Sequence, residues 1–248
     1  MNNDVTVIKL GGSLLDDPER RTLALRNVVA RWNAGENLVL VHGGGKHIDA
    51  QLAKLGIAKK TYAGLRITDD QTLDVVVSVL GGTVNKMLVA ELSKLGVRAA
   101  GISGSDAATL MAVPHPPIDG VELGHVGQVH GANVTLLKAM LTYGMLPVVS
   151  SIAQGPQGTL LNVNADAAAA SLAVALRAQS LHFITDVAGV LDADGLVVPQ
   201  LHLAAAEEFL TNVSGGMRPK LQAALSALTS GVREIVIGEE GGTQLVAA

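Results

Sequence analysis

Two periodicities alternate along this chain. Short runs rich in Val, Ile and Leu are separated by longer stretches in which apolar residues recur at helical spacing, the pattern of strands alternating with helices. The run VTVIKL at Val5–Leu10 predicts a buried strand. Helical patterns follow at 14–17 and over Pro18–Asn33, then a strand at 37–41 and a helix at 46–55 with Ile48, Leu52 and Leu55 on one side. Residues 59–70 are polar and irregular. Thr68 with Gln71 three positions on reads as a capping box. It opens a long helix whose apolar positions run from Leu73 through Val84 and Leu88 to Leu95, stopped by Gly96. Gly81 and Gly82 sit in its middle and predict a weak point, a bend or a close backbone approach.

Further strands are expected at 98–102, 146–152, 181–185 and Glu234–Ile237. Residues 109–130 alternate short apolar runs with Pro and Gly and read as hairpins. Helices are expected at 134–143, over 162–177 from about Asp166, at 207–212 and at 219–230, where Pro219 suits a first turn. Strands alternating with helices predict an α/β fold with a mostly parallel sheet covered on both faces. No linker divides the chain, so 1–248 reads as a single domain of two lobes, split loosely near 160–170.

Composition narrows the function classes. The 248 residues are 48% hydrophobic and 16% charged, with 28 glycines, one Trp, two Tyr and two Phe. The core is therefore built from Ala, Val and Leu, and aromatic platforms for stacking bases are missing. A net charge of −4 with no basic block argues against nucleic-acid partners. There is no cysteine, which excludes disulfides, thiolate metal sites and thiol nucleophiles. The N-terminus leads straight into a strand with no signal peptide, and no run of about 18 apolar residues is evident. The expectation is a cytoplasmic protein with no membrane partner.

The candidate chemistry lies where strands end. Lys9 closes the first strand and Gly11-Gly12 follow; His42 precedes Gly43-Gly44-Gly45; Gly104 follows the 98–102 strand; Gly215-Gly216 open a helix. Glycines at such points bring bare backbone N–H groups and helix N-termini toward anions. Several of them facing one crevice suit a polyphosphate beside a second anionic ligand. A tight turn with a solvated lysine is the plainer alternative. The spacing is neither GxxxxGK[ST] nor GxGxxG, so neither a Walker loop nor a dinucleotide site is expected. The seven histidines lack metal-ligand spacing, so no metal site is expected, and Ser13 and Ser103 have no His–Asp arrangement to make them nucleophiles.

Six motifs in order extend over nearly the whole chain: Lys9-Leu10-Gly11-Gly12, His42-Gly43-Gly44-Gly45, Gly64-Leu65-Arg66-Ile67-Thr68-Asp69, Glu122-Leu123-Gly124-His125-Val126-Gly127, Asn162-Val163-Asn164-Ala165-Asp166 and Gly216-Met217-Arg218-Pro219-Lys220. Together they resemble the acetylglutamate kinases of the amino acid kinase family. That resemblance implies a three-layer α/β/α sandwich. An N-lobe of about 1–165 would bind the acyl substrate and dimerise, and a C-lobe of about 166–248 would bind ATP. The implied reaction moves a phosphoryl group from ATP to the γ-carboxylate of N-acetyl-L-glutamate in arginine biosynthesis. The chemistry is self-consistent: a carboxylate is already an ionised nucleophile, so the task is to join two anions and stabilise the transferring group, with no general base.

By the same resemblance, Lys9 and Lys220 flank the transferred group and Asp166 holds both ammonium groups. Gly44 and Gly45 offer N–H groups to the γ-carboxylate, Gly11 and Gly12 lie near phosphoryl oxygens, Arg66 clamps the α-carboxylate and Asn162 binds the N-acetyl amino acid. Asp186, Gly189 and Leu191, with Gly215 and Gly216, frame the nucleotide, and Mg²⁺ is carried mainly by ATP. Each has a plainer reading: a solvated first-turn lysine for Lys220, a helix N-cap for Asp166, a surface ion pair to Asp69 or Asp70 for Arg66, a structural turn for Asn162. Arg218 stands where an apolar residue is expected and either meets phosphate or points outward. Because the chain starts at its first strand, the resemblance implies a homodimer that arginine does not inhibit. Alternatives are a carrier-protein-linked aminoadipate kinase, a kinase for UMP or isopentenyl phosphate, or a non-catalytic amino-acid-binding module. The 64–69 and 162–166 motifs favour the free acetylated glutamate.

Overall fold

The computed structural model describes residues 4–185, 187–192, 194–213, 215–238 and 242–246. From the N-terminus come β1 (Val5–Leu10), α1 (Gly12–Asp16), α2 (Pro18–Asn33), β2 (Asn37–His42), α3 (Gly45–Lys54) and a small hairpin of β3 (Thr61–Tyr62) and β4 (Leu65–Arg66). Next are α4 (Asp70–Val77), a π-helical segment Ser78–Val84, α5 (Asn85–Lys94), β5 (Ala99–Ser103), β6 (Met111–Pro114), β7 (Val126–Gly131), α6 (Thr135–Thr142), β8 (Leu146–Ser150), β9 (Ile152–Gln154) and β10 (Leu160–Val163). The rest is α7 (Ala165–Leu176), β11 (Ser180–Ile184), β12 (Gln200–His202), α8 (Leu203–Asn212), α9 (Met217–Thr229), β13 (Glu234–Ile237) and β14 (Thr243–Val246).

Eight strands form one sheet in the order β12-β14-β13-β11-β1-β2-β8-β5. Its pairings are parallel except that between β13 and β14. Strand β1 lies inside it with every residue buried, which is why its sequence is a continuous apolar run. Side chains alternate across the sheet. Val5 and Val7 face a cluster with Ala169, Leu172, Leu221 and Ala224 of α7 and α9. Ile8 and Leu10 face a second cluster with Leu25, Ile48, Leu80 and Leu88 of α2, α3 and the long helical stretch. Two helical layers enclose the sheet, as expected, and the same alternation puts Lys9 on the α7/α9 side.

Four local expectations are changed or made specific. The cap of α4 is Asp69, whose carboxylate accepts from the Thr72 N–H at 2.9 Å, while the Thr68 hydroxyl donates to the Arg66 carbonyl. Both residues are capping types, and the backbone turn decided between them. Residues 146–152 split into β8 and β9 because the chain leaves the main sheet there to join a small closed barrel, β10-β7-β6-β9. Gly81 and Gly82 lie inside a π-helical segment, so the α-helical ladder gives way where they stand. Asp70–Lys94 is long and apolar enough, by length and composition alone, to cross a membrane, which corrects the expectation that no such run exists. Its Val76, Leu80, Val84, Leu88 and Leu92 are buried against the sheet, the role of a core helix.

Candidate active site

Lys9 ends β1, Asp166 stands in the first turn of α7, and Lys220 lies in the first turns of α9. The fold joins them. The Lys9 Nζ is 2.8 Å and the Lys220 Nζ 3.0 Å from the same oxygen, Asp166 Oδ1. All three are buried. Asn164 caps α7, accepting from the Asp166 and Ala167 N–H groups, so the Asp166 carboxylate is free of capping and serves the lysines. Phe183 pairs with Lys9 across β11 and β1, and the Lys220 Nζ lies 5.3 Å from its ring centroid, in cation–π range.

Two buried cations share one buried anion. Burial pushes the Lys220 ammonium down from 10.5 to about 8; the Lys9 charge adds to the fall and Asp166 opposes it. Burial works against the Asp166 carboxylate, but the Lys9 and Lys220 charges outweigh it and hold it below the ordinary carboxylate range. The surplus positive charge is a standing demand for an anion.

Around this centre lie the glycine turns at the carboxyl ends of β1 and β2. A Cβ on Gly43 would meet the Ala165 Cβ at 3.3 Å, and one on Gly12 would lie 3.8 Å from the Gly45 nitrogen, so the two turns adjoin each other and the start of α7. Gly44 and Gly45 open α3, and Gly12 opens α1, with their amides in the N-terminal turns. The Gly11 N–H donates to the Ile184 carbonyl at 2.8 Å, so this glycine sits beside the turn with its own amide committed to the sheet. Gly104 is structural too: its N–H bonds the Ser150 carbonyl and its carbonyl accepts from Leu110, stitching the sheet to the barrel.

Arg66 is not paired with Asp69 or Asp70. Its guanidinium is mostly buried, forms an ion pair with Asp49 of α3 and donates to the Gly45 carbonyl at 3.2 Å, while Nη1 is buried without a partner. Asp49 resists its own burial because Lys59 and Arg66 bond it, and its carboxyl sits below the ordinary range. Asn162 lies on β10, not in a turn, and its amide donates to Thr68 Oγ1 at 3.1 Å. The His125 N–H bonds the Thr68 carbonyl and its carbonyl accepts from Asn162. Arg66, Thr68 and Asn162 thus form one wall beside Gly45. Sequence reasoning missed Asp49 and Thr68 as its supports. Asp49 follows Gly45 by one helical turn on α3, a spacing that was available.

The nucleotide-side expectations are more dispersed. Gly189 packs tightly: a Cβ there would come within 2.7 Å of Thr243 Oγ1 and 2.8 Å of Val197 Cγ1. Leu191 is bridged to Val197 and half-exposed. Gly215 has φ +60 and Gly216 caps α9, both with open space around them. Asp186 and Ser214 lie outside the described residues. Arg218 points outward from α9 and is exposed. Among the described residues no cluster of three His, Asp or Glu could hold a metal ion.

Comparison with known proteins identifies the family and the fold. Residues 4–239 match the Amino acid kinase family. The acetylglutamate kinase of Cereibacter sphaeroides is 42% identical over 236 residues, covering 94% of this chain and 79% of that protein. The acetylglutamate kinase of Solibacter usitatus is 39% identical over 258 residues, covering 98% and 99%. Among solved structures, smu.665 from Streptococcus mutans UA159 superposes with a TM-score of 0.88 at 29% identity, covering 98% of this chain and 99% of that one.

Proposed function

The chain belongs to the amino acid kinase family, and from that premise we propose that it transfers the γ-phosphoryl group of ATP to the side-chain carboxylate of N-acetyl-L-glutamate. One observation carries the reading: Lys9 and Lys220, from opposite ends of the chain, meet on a single buried carboxylate. A carboxylate acceptor needs no base. It needs its own repulsion from a triphosphate cancelled and the moving phosphoryl oxygens neutralised. Lys9 and Lys220 do this from either side of the transferred group, and Asp166 fixes their spacing. Gly44, Gly45 and Gly12 donate N–H groups to the acceptor carboxylate and the phosphoryl oxygens. Arg66, preset by Asp49, takes the α-carboxylate with its planar fork, and Asn162 takes the N-acyl amide, which both donates and accepts.

The nucleotide lies over the α9 N-terminus, framed by Gly215, Gly216 and the loop through Gly189 and Leu191. Mg²⁺ accompanies ATP and neutralises its phosphates. In this reading the metal is held mainly by the nucleotide. We place the enzyme in the cytoplasm as a homodimer, a state that gel filtration tests and that a monomeric peak would overturn.

The decisive assay couples ADP release to N-acetyl-L-glutamate, L-glutamate and aminoadipate in parallel. Turnover confined to the acetylated substrate supports the assignment. Preference for another acceptor, or none for any, ends it.

A further inference from the structure

His42 is fully buried at the end of β2, on the face opposite Lys9. Its Nδ1–H donates to the Gly43 carbonyl at 2.9 Å, and its Nε2 lies 3.1 Å from Asn85 Nδ2. A carbonyl only accepts, so Nδ1 carries the proton and Nε2 is bare. The Asn85 amide is therefore the donor. The same amide nitrogen donates to the Val148 carbonyl at 2.9 Å and approaches the Ile102 carbonyl at 3.3 Å. Its oxygen accepts from Lys86 Nζ at 3.1 Å. One side chain thus ties together the carboxyl ends of β2, β8 and β5. Gly101 makes room for it, since a Cβ there would lie 1.8 Å from Asn85 Oδ1.

Asn85 follows directly on the π-helical segment. The wider turn shifts the phase of the helix before α5 begins, and two residues of the segment press on the glycine turn. A Cβ on Gly44 would lie 2.9 Å from Leu80 Cδ2 and 3.2 Å from Val84 Cγ2. The turn is held from below by these side chains and from its strand end by the His42 bond.

We propose that Asn85, acting through His42, is a positioning residue that fixes the Gly43–Gly45 turn in the orientation that presents its N–H groups to the acceptor carboxylate. The inference rests on the reading that Gly44 and Gly45 receive that carboxylate. The imidazole suits the task because it stays neutral: burial lowers His42 to about 4, and the nearby Lys86 and His47 push the same way. A neutral ring keeps one donor and one acceptor, which the two bonds require.

The test uses Asn85→Ala, His42→Gln and His42→Asn in the full chain, with steady-state kinetics, melting curves and ¹⁵N order parameters of Gly44 and Gly45. Asn85→Ala raises the KM for N-acetyl-L-glutamate about tenfold, the equivalent of one lost hydrogen bond, and leaves that for ATP within about twofold. The two glycine order parameters fall from about 0.85 toward 0.6. In His42→Gln the amide oxygen stands where Nε2 was and accepts from Asn85 but the bond to Gly43 is lost, so the link from Asn85 to the turn is broken and the acceptor KM rises about tenfold as in Asn85→Ala. In His42→Asn the side chain reaches Gly43 but not Asn85, and it behaves like Asn85→Ala. Rigid glycines in Asn85→Ala, or equal rises in both KM values with a lowered melting temperature, would overturn the inference. If Asn85→Ala does not fold, the His42 pair decides by the same criteria. If the parent protein turns over no acceptor, the assignment fails and the order parameters alone judge the positioning role.

Discussion

Lys220 is where stability and chemistry should pull apart, and Lys220→Met makes the conflict measurable. Lys220 is 5% exposed, and its pKa falls from 10.5 to about 8, chiefly through burial and then through Lys9. At about 1.4 kcal/mol per pH unit, a protonated Lys220 costs the folded state on the order of 3 kcal/mol. The sign follows from proton counting. Between pH 8 and 10.5 the unfolded chain binds more protons than the folded one, so stability rises with pH across that window and the full cost is felt below it. Methionine keeps the apolar stem against Phe183 and removes the charge. It forfeits a cation–π contact worth about 1 kcal/mol, while the lost attraction to Asp166, which keeps Lys9 as partner, is already contained in the lowered pKa. The net expectation at pH 7 is a gain of about 1–2 kcal/mol, or roughly 2–8 °C in Tm for a chain of this length. The gain should shrink toward pH 10, where the parent lysine is already neutral. Turnover should fall about a hundredfold or more, since a cation aimed at the transition state is gone. Melting curves at both pH values with a rate assay check this. A Lys220→Met protein that melts below the parent at pH 7, or a stability difference indifferent to pH, would refute the reasoning.

Asp166→Asn should lose about 3–5 kcal/mol near neutral pH, because it leaves two buried ammonium groups facing each other, read by urea unfolding. The Asp166 carboxyl sits below its ordinary 3.8, so its stabilisation is present above that pH and lost as pH falls through the folded value; the gap between parent and variant should narrow in acid. Lys9→Ala should abolish turnover while calorimetric binding of N-acetyl-L-glutamate persists, whereas joint loss of both would make Lys9 a ground-state binding group. Arg66→Lys should raise the acceptor KM about tenfold, since an ammonium cannot serve Asp49 and a carboxylate with one planar fork; an unchanged KM would remove Arg66 from the acceptor site.

Much of this was written in local pattern. The apolar run at Val5–Leu10 and the helical spacing of Pro18–Asn33 formed elements with those bounds, because the spacing of apolar positions that marks each is a local pattern. The period of two along β1 also implied that Lys9 shares a face with Val5 and Val7. A further signal went unused: Asn85 falls on the buried stripe with Leu88 and Leu92, and a polar residue there announces a partner across the core. The choice of Asp69 over Thr68 as cap, the parting of β8 from β9 and the pairing of Arg66 with Asp49 depended on backbone direction or distant segments. The strand β14, antiparallel to β13, gave no local pattern strong enough to predict it. The meeting of Lys9, Asp166 and Lys220 is the clearest division between the two levels. Sequence determined which residue types end which elements and which face they occupy, because periodicity is local. Only the packing of α7 and α9 on one face of β1 decided that three charges so far apart in the chain would share a single oxygen, because the distance between elements is set by how their side chains fill the space between them.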